Sequence, residues 1–506
     1  MKEVQSVSQT ATWDGSLPSA VCDYLRSTNP WWAGKPGRVL PPYRRWVFGV
    51  ALRNLQKDLA PVLVLRGPRQ VGKTTLQEQL IRHLLETGGV APRRILRVQF
   101  DDLPSLRRVL DPILAIARWF ELHILGETFN EAAHRGEPAL IFLDEAQNLG
   151  DWAPQVKAFV DHNTAKVFVT GSSSLRITAG QDSLTGRVTT VDLGPLLLRE
   201  IGAIRFGTKV PAVLGGNGVE SLASQDFWRK VRVHGERHRE IRDQAFAAFS
   251  ERGGYPMAQA NADVPWPEIA DQLNETVVQR AIQHDLRVGS RGRKRDPNLL
   301  EEVFRLSCRY AGQTPGRNIL IPELQQALDA NIGWARVREY MRFLENAMLL
   351  KLVEPLELRL KRRKGDNKLC LSDHALRASW LREAVPLDPA RLEAEPHLAD
   401  LAGRIAESSV GYFLSNIPHL GVNHFPQRGL EPEIDFVLTV GLRRVPVEVK
   451  FRRRIDPRED TRGLVSFIGK TVYNASFGVL VTMLDDVQVP DPRIVALPLS
   501  SVLLMR

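Results

Sequence analysis

The sequence predicts an α/β protein of several domains, and three observations lead to this prediction. A chain of 506 residues is longer than one ordinary domain and corresponds to about three to four domains. From Trp46 to about residue 205, short apolar runs alternate with amphipathic helical stretches, a pattern typical of a parallel sheet with helices on both faces. After residue 205 this alternation stops, and strands return only in the last third of the chain.

The changes of pattern along the chain divide it into five segments. The first residues, rich in Pro, Gly and Trp, are interpreted as an irregular docking arm, and the strand–helix alternation that follows gives an α/β core. Helices alone form a connector. Three helices and a strand hairpin around the charged turn RLKRRKGDN have the outline of a winged helix, and a helix with further strands forms a small C-terminal α/β domain. The predicted bounds are 1–45 for the arm, 46–205 for the core, 206–298 for the connector, 299–384 for the winged helix and 385–506 for the C-terminal domain.

The composition excludes several classes of protein. With 25% charged and 43% hydrophobic residues, the chain is too apolar to be mainly disordered. Three cysteines, Cys22, Cys308 and Cys370, cannot form a disulfide framework and suit a reducing compartment, so a cytoplasmic location is expected. The N-terminal segment lacks the apolar core of a signal peptide, and no apolar run approaches the roughly 20 residues that span a bilayer, so no membrane partner is expected. The net charge of +10 permits an acidic partner without requiring one.

A glycine-rich octet follows the first apolar strand of the core. The segment GPRQVGKT fits the pattern G-x-x-x-x-G-K-[ST] and lies between the strand PVLVL and a helix, which is the context that this motif requires. The glycines let the backbone wrap phosphate groups, Lys73 reaches the β- and γ-phosphates, and the Thr74 hydroxyl binds Mg²⁺. The sequence therefore predicts a P-loop NTPase core that binds ATP and Mg²⁺ through Gly67, Pro68, Arg69, Gln70, Val71, Gly72, Lys73, Thr74 and Thr75.

Two acids at the end of the apolar strand ALIFLDEA support the same site. Asp144 ends this strand, and an acid at the carboxyl end of a neighbouring parallel strand can bind the Mg²⁺, as a Walker B aspartate does. Glu145, the next residue, is predicted to orient and deprotonate the attacking water. The alternative is a strand that merely ends in two solvated acids.

Two further catalytic residues are predicted for the same core. The strand KVFVTGSSS ends in polar residues, and among them Ser172 is the predicted contact to the γ-phosphate or to water, although serines are common at strand ends. Arg187, in LTGRVTTV, is a candidate for a guanidinium that neutralises charge in phosphoryl transfer, either in its own subunit or in a neighbouring one. The alternative for Arg187 is a surface arginine. The sequence leaves the oligomeric state open.

Charged residues also interrupt the apolar strands of the C-terminal domain. Asp435, Glu448 and Lys450 form the pattern D-x12-E-x-K on two segments, PEIDFVL and RVPVEVKF, that are predicted to pair as antiparallel strands. Glu448 and Lys450 share one face, because residues i and i+2 of a strand project together. Glu407, on the preceding helix, is a third carboxylate that with Asp435 and Glu448 is predicted to hold a second Mg²⁺ or a Mn²⁺, while Lys450 activates water. The alternative is a salt bridge in an inactive domain.

The order of these motifs resembles a known family. GPRQVGKTTL, IFLDEAQNLGDW, VFVTGSSS, SLTGRV, the pair Arg199-Glu200 and GGYP at Gly253–Pro256 follow one another as in bacterial and archaeal AAA+-type ATPases with a C-terminal domain of uncharacterised function. The resemblance covers roughly residues 43–506. It implies an ATPase core, a winged helix and a restriction-endonuclease-like tail, with KLCLSDHAL as the strand after the winged helix. The D-x12-E-x-K pattern itself resembles the PD-(D/E)xK nucleases.

Basic clusters predict a nucleic-acid partner, either DNA or RNA. They lie at residues 291–295, at 359–364 on the predicted wing, and at 452–454 beside the C-terminal pattern, and such clusters contact backbone phosphates. A protein partner is the alternative, because winged helices also dock proteins and exposed charge runs are usually solvated.

The helix WARVREYMRFL is the predicted reader of the nucleic acid. Its basic residues are Arg336, Arg338 and Arg342, and helix-turn-helix modules contact the duplex with such residues. The apolar residues of the same helix are alternatively its core face, namely Trp334, Val337, Tyr340 and Met341.

The sequence as a whole predicts a protein that binds and hydrolyses ATP on or at DNA. In this interpretation an ATPase core is coupled to a winged helix and to a metal-dependent nuclease tail. The alternative is a nucleotide-gated switch or interaction protein with a catalytically inactive nuclease-like domain. The residues that distinguish the two functions are Asp435, Glu448 and Lys450, which would be needed for cleavage only in the first.

Overall fold

The computed structural model describes residues 17–57, 60–101, 106, 109–171, 184–215, 218–282, 296–357, 365–427, 429 and 431–506. The described residues divide into two compact units. The first contains those up to residue 66, from 73 to 171 and from 184 to 191, and the second contains residues 67–72 and those from 192 onwards. Within these ranges, no helix combines the length and the apolar character that crossing a lipid bilayer requires.

A five-stranded sheet forms the centre of the first unit. Its strands β2, β3, β4 and β1 are parallel, and β3 is buried along its whole length, as expected for an apolar strand that packs on both faces. The predicted parallel sheet is confirmed for these four strands. In the order β2-β3-β4-β1-β5, the strands are β1 (Val62–Arg66), β2 (Ile95–Gln99), β3 (Ala139–Asp144), β4 (Ala165–Gly171) and β5 (Val188–Asp192).

Helices alternate with these strands, as the sequence pattern predicts. Apolar residues of the fourth and sixth helices pack with β2, β3 and β4 in one buried core. The fifth helix begins with a capping box, in which Thr128 and Glu131 satisfy each other's backbone N–H groups. The helices are α1 (Ser19–Thr28), α2 (Val47–Gln56), α3 (Lys73–Glu86), α4 (Pro112–Phe120), which continues as a π-helix (Glu121–Leu125), α5 (Phe129–His134) and α6 (Trp152–His162).

Residues 17–45 are part of the first unit, and the prediction of an irregular arm is wrong for them. The helix α1 buries Val21 and Leu25 in the core of this unit. The indole N–H groups of Trp31 and Trp32 both donate to the carbonyl of Ile95, at 3.1 and 2.9 Å. Tryptophan contributes a large apolar surface and one N–H donor, so a Trp-rich segment without a clear period can still be held firmly against an edge strand such as β2.

The second unit begins with helices, as predicted for the connector. These helices share one apolar core with the C-terminal sheet, through residues such as Trp228 and Phe246. Arg242 also binds Asp485 with two hydrogen bonds of 2.7 Å, so the connector is not a separate domain. The helices are α7 (Leu198–Phe206), α8 (Gln225–Arg237), α9 (Arg239–Arg252), α10 (Pro256–Ala260) and α11 (Trp266–Leu273), which continues as a π-helix (Asn274–Gln279).

Three helices and an antiparallel hairpin follow in the predicted order. Leu350 pairs with Leu371 in the hairpin, and the predicted wing at 359–364 lies outside the described residues. The assignment of this arrangement as a winged helix stays a prediction. The elements are α12 (Pro297–Arg309), α13 (Arg317–Leu328), α14 (Trp334–Asn346), β6 (Leu350–Val353) and β7 (Lys368–Leu371), and α15 (His374–Leu381) comes next.

Two of the motifs that carry the family resemblance meet at Asp373. This buried carboxylate caps α15 by accepting the N–H of Ala375 at 2.8 Å, and it accepts the N–H of Gly254 at 2.5 Å. Gly253 has φ +69°, and a Cβ atom there would lie 2.1 Å from Asp373 Oδ1. Gly253 of GGYP is therefore explained by its positive φ and by its close packing against the segment KLCLSDHAL.

A second five-stranded sheet closes the chain. Its strands β9 and β10 pair antiparallel, with Val447 opposite Phe436, so the predicted strand pair is confirmed. The sequence pattern predicts neither β8, whose residues GVNHF do not alternate, nor β12, which ends in proline. In the order β12-β11-β10-β9-β8, the strands are β8 (Gly421–Phe425), β9 (Ile434–Val440), β10 (Arg443–Lys450), β11 (Gly478–Thr482) and β12 (Ile494–Pro498), with helices α16 (Pro389–Ala394), α17 (Ala399–Ser415), α18 (Arg462–Ile468) and α19 (Leu499–Leu504).

Candidate functional site

The glycine-rich octet occupies the connection that its motif requires. β1 ends at Arg66 and α3 begins at Lys73, so the loop runs from a strand directly into a helix N-terminus. Gly72 has φ 91°, a conformation that only glycine adopts without strain. Gly67 is required for a different reason, since a Cβ atom there would lie 2.3 Å from the carbonyl oxygen of Leu193. The strand–loop–helix context of the predicted nucleotide-binding residues is therefore confirmed.

Asp144 is the centre of a buried polar group at the carboxyl end of β3. The Thr170 hydroxyl, on β4, donates to Asp144 Oδ1, and the Thr74 side chain in the first turn of α3 also hydrogen-bonds with Asp144. The guanidinium of Arg97, on β2, lies 3.5 Å from Oδ2. The structure thus brings together the two residues that were predicted to bind Mg²⁺, Thr74 and Asp144.

The surroundings of Asp144 suit a bound cation. Its carboxylate is fully buried, and Oδ2 accepts no hydrogen bond from any residue in the described ranges. Burial raises the pKa of Asp144 above its usual value, and the hydrogen bond from Thr170 opposes this rise. Because burying an incompletely paired carboxylate is costly, a Mg²⁺ ion with hard oxygen ligands would fit beside Oδ2 and the Thr74 hydroxyl.

Glu145 has an unusual backbone conformation immediately after β3. Its φ is 51°, in the left-handed region that non-glycine residues adopt rarely and often at functional positions. The side chain is half-buried, and Gln147 Nε2 donates to its carboxylate. Asp144 is therefore fully buried, whereas Glu145 stays partly exposed to solvent. This difference agrees with the separate roles predicted for them, Mg²⁺ binding for Asp144 and activation of water for Glu145.

Sequence reasoning missed Arg97 and did not select Thr170. Arg97 is buried and contacts Asp144, Glu78 at 3.3 Å and Gln77 at 3.1 Å. Arg97 could have been recognised from the sequence as a charged residue inside the apolar strand ILRVQF. A charge buried in such a strand requires partners. Thr170 is buried and orients Asp144, whereas the predicted Ser172 lies outside the described residues.

Arg187 lies beside the amino end of β1, whereas Asp144 lies at the carboxyl end of β3. Its guanidinium forms an ion pair with Asp161, near the end of α6, and its carbonyl accepts the N–H of Val62, the first residue of β1. The glycine-rich loop follows the last residue of β1, and five residues of strand extend for about 16 Å. A catalytic role of Arg187 in its own subunit is therefore wrong, and a role in a neighbouring subunit stays a prediction.

The C-terminal strands bring together the predicted charged residues. Asp435 Oδ2 accepts the N–H of Val449 at 2.8 Å, which places this carboxylate against β10 between Glu448 and Lys450. Lys450 Nζ lies 2.6 Å from Glu448 Oε1. Glu407, on α17, interacts with Asp435. The predicted convergence of Glu407, Asp435, Glu448 and Lys450 is therefore observed.

A second lysine, missed by sequence reasoning, lies inside this cluster. Lys368, the first residue of β7, forms an ion pair with Glu407 and lies 3.2 Å from Asp435 Oδ1 and 3.7 Å from Glu433 Oε1. Its side chain is 2% exposed. We call Lys368, Glu407, Asp435, Glu448 and Lys450 the tail cluster.

The arrangement corrects the prediction that Glu407, Asp435 and Glu448 jointly hold a metal ion. Among the described residues, no group of three Asp, Glu, His or Cys side chains is arranged to hold one. The physical reason is that the ammonium of Lys368 already neutralises Glu407 and Asp435. The residues present therefore do not fit a second Mg²⁺ or Mn²⁺.

Burial and mutual repulsion make the carboxylates of the tail cluster unequal. Burial, with a further contribution from Asp435, raises the pKa of Glu448 to about 8, and the same causes raise the pKa of Glu407. The pKa of Asp435 is lowered, because Lys368 and Lys450 outweigh the effect of burial. Asp435 is thus the most acidic of these three carboxyl groups, and Glu448 Oε2 is buried without a hydrogen bond to any described residue.

The predicted nucleic-acid residues divide into paired and unpaired groups. Arg452 and Arg453 form ion pairs with Asp460 and Glu393, while the clusters at 291–295 and 359–364 lie outside the described residues. On α14, the residues Val337, Tyr340 and Met341 are buried, so the predicted core face is confirmed for them, and Trp334 is half-buried.

The exposed face of α14 borders a cavity of about 300 Å³. Arg338 and Arg342, one helical turn apart, line this cavity together with Trp334. Neither arginine is hydrogen-bonded or ion-paired to another residue of the described chain. Arg336 differs, because it lies 3.6 Å from Asp296.

Two family models match the chain. Residues 60–202 match a model described as an AAA domain, which includes the glycine-rich octet, Asp144 and Arg187. Residues 243–385 match a domain of unknown function, DUF8612, which includes Asp373 and Lys368. The chain thus contains a segment similar to AAA domains, followed by a segment similar to a domain family of unknown function.

Individual relatives match shorter parts of the chain. The uncharacterized protein Rv2008c of Mycobacterium tuberculosis is 31% identical over 28% of this chain and 27% of its own length. The uncharacterized protein MJ1637 of Methanocaldococcus jannaschii is 21% identical over 50% of this chain and 49% of its own length. The matches therefore span about a quarter to a half of these curated relatives. Among solved structures, the Walker-type ATPase PABY2304 of Pyrococcus abyssi is 14% identical, covers 68% of this chain and 99% of its own, and has a TM-score of 0.38.

Proposed function

We propose that the protein binds ATP with Mg²⁺ at the glycine-rich loop and hydrolyses it. The observation that carries this proposal is the buried group at the end of β3, where Thr74 and Asp144 meet and Asp144 Oδ2 has no hydrogen-bond partner among the described residues. The match of residues 60–202 to an AAA domain supports it independently.

Each residue of the group has a distinct task in this proposal. The loop backbone and Lys73 bind the phosphates, while Thr74 and Asp144 hold the Mg²⁺, which neutralises phosphate charge when it is bound. Thr170 and Arg97 contact Asp144 and so keep its carboxylate in place. Glu145, next to Asp144 and exposed enough to reach water, is the general base that takes the proton of the attacking water.

The proposal is tested by removing the lysine that binds the phosphates. Lys73→Ala should weaken binding of a fluorescent ATP analogue at least about tenfold, because the loss of one charge-assisted contact is worth about 1.5–3 kcal/mol. Binding is measured by fluorescence titration with and without Mg²⁺. Lys157→Ala is the matched control, since Lys157 is a half-buried lysine of the same unit that pairs only with Asp161 among the described residues. Equal affinity of Lys73→Ala and wild type would refute the proposal.

A second activity, binding of nucleic acid, is proposed for the exposed face of α14. Arg338 and Arg342 border the cavity with Trp334 and with two acidic residues, Glu354 and Asp366. Two guanidinium groups that have no ion pair among the described residues and an aromatic ring therefore line the same space. Guanidinium groups bind phosphates, and aromatic rings stack on bases. This combination supports contact with DNA or RNA more directly than the net charge does.

Replacing both arginines should reduce the salt dependence of binding. For the variant Arg338→Ala/Arg342→Ala, we expect the slope of log K against log salt to fall by about 0.9 for each lost phosphate contact on duplex DNA. Fluorescence anisotropy with labelled duplex DNA and single-stranded RNA at several salt concentrations measures it. Arg336→Ala is the control, because Arg336 is already paired with Asp296. Binding that is absent at low salt in wild type would contradict this activity and favour a protein partner.

For the C-terminal domain, the geometry favours the alternative function, a switch or interaction protein whose nuclease-like domain is catalytically inactive. A lysine lies among the carboxylates that a nuclease would use for metal, so we propose a switch or interaction domain rather than a cutting one. Cleavage of DNA or RNA by wild type in Mg²⁺ or Mn²⁺, lost in Glu448→Ala, would overturn this part of the proposal.

A further inference from the structure

We infer that Lys368 takes the place of a divalent cation in the tail cluster, so that the cluster can bind such a cation only when Lys368 is removed. This inference deepens the proposal of a non-cutting tail and does not depend on ATP hydrolysis.

The position of the ammonium group carries the first step. Lys368 Nζ contacts Glu407 and lies 3.2 Å from Asp435 and 3.7 Å from Glu433. These residues come from α17, from β9 and from the turn before β9, so carboxylates from separate elements converge on one positive centre. The lysine is almost completely buried, which a single charge tolerates only with such partners.

The charge balance carries the second step. Four carboxylates, those of Glu407, Glu433, Asp435 and Glu448, face the two ammonium groups of Lys368 and Lys450. Without Lys368, only Lys450 would remain to balance them. Oxygen ligands with excess negative charge are what Mg²⁺, Mn²⁺ and Ca²⁺ prefer.

A third observation concerns a buried oxygen of the same cluster that lacks a hydrogen-bond partner among the described residues. Glu448 Oε2 is buried and accepts no hydrogen bond within the described chain, although its partner atom Oε1 is bound by Lys450 at 2.6 Å. Lys450 therefore leaves one oxygen of this side chain without a hydrogen-bond partner among the described residues. A cation at the place of Lys368 would relieve the repulsion between Asp435 and its neighbours.

The test measures Mn²⁺ binding to the full, nucleotide-free chain by electron paramagnetic resonance. Wild type should show no Mn²⁺ site that depends on Asp435. Lys368→Gln should gain one Mn²⁺ per chain, and Mn²⁺ should raise its midpoint of thermal unfolding, because an ion that binds only the folded state stabilises it. Lys368→Gln/Asp435→Asn should lose both effects. Lys351→Gln, which changes a half-buried lysine on the partner strand β6, is the matched control.

Two outcomes would overturn the inference. One is a folded Lys368→Gln variant that gains no Mn²⁺ site. The other is a Mn²⁺ site in wild type that disappears in Asp435→Asn, and this measurement decides the question even if Lys368→Gln does not fold. Nuclease assays are run on the same wild-type samples. They show whether the proposal of a non-cutting tail is wrong, independently of whether Lys368 takes the place of a cation.

Discussion

Replacing Glu145 by glutamine is expected to lower ATP turnover by about 10²- to 10⁴-fold, the range that a general base contributes, while ATP still binds. Glutamine keeps the size of the side chain and its contact with Gln147, but it cannot accept the proton of the attacking water. Phosphate release measures turnover, and a fluorescent ATP analogue measures binding.

The control for this variant is a glutamate of the same unit outside the site. Glu137 lies in the turn before β3, where it pairs with Arg94 at 4.0 Å, and Glu137→Gln should leave turnover unchanged. A turnover rate of Glu145→Gln equal to that of wild type would remove Glu145 from the proposed mechanism while leaving nucleotide binding in place.

The second large effect is expected in the stability of the tail. Lys368→Gln should destabilise the folded state by about 3–5 kcal/mol, the cost of removing one partner from a buried ion pair, because Glu407 and Asp435 lose their common counter-ion. Hydrogen–deuterium exchange should show faster exchange in β7 and β9, which carry Lys368 and Asp435, and thermal unfolding should begin at lower temperature.

A combined variant separates charge imbalance from lost packing. Lys368→Gln/Glu407→Gln/Asp435→Asn removes the whole charged group and should recover part of the lost stability, because a neutral replacement avoids unpaired buried charges. Exchange rates in β7 and β9 that stay at the wild-type level in Lys368→Gln would mean that these contacts contribute little to the fold.

The nucleotide site was largely predictable because its signals are local in the sequence. The loop from Gly67 to Thr74 and the pair Asp144-Glu145 each occupy one short segment next to an apolar strand. The wholly apolar strands also allowed the parallel sheet to be predicted from the sequence. What the pattern could not provide were the partners of Asp144, since Arg97 and Thr170 come from two other strands.

The tail shows the same limit more sharply. Asp435, Glu448 and Lys450 were found because they interrupt two strands that pair directly. Lys368 enters the cluster from the preceding hairpin, and no short-range pattern connects it with Glu407 or Asp435. A lysine beginning the apolar run KLCL was a signal, because buried charges require partners, but their identity depends on tertiary structure.

The position of Lys368 on β7 has a mechanical consequence for the hairpin. Its neighbours Asn367 and Leu369 line the cavity beside Arg338, while Lys368 faces the carboxylates, as alternate residues of a strand must. If β7 shifted by one residue in its pairing with β6, Lys368 would point towards the cavity, and Asn367 or Leu369 would lie against the carboxylates. The ion pairs of Lys368 in the tail cluster therefore stabilise one register of β7, and this register determines which residues line the cavity.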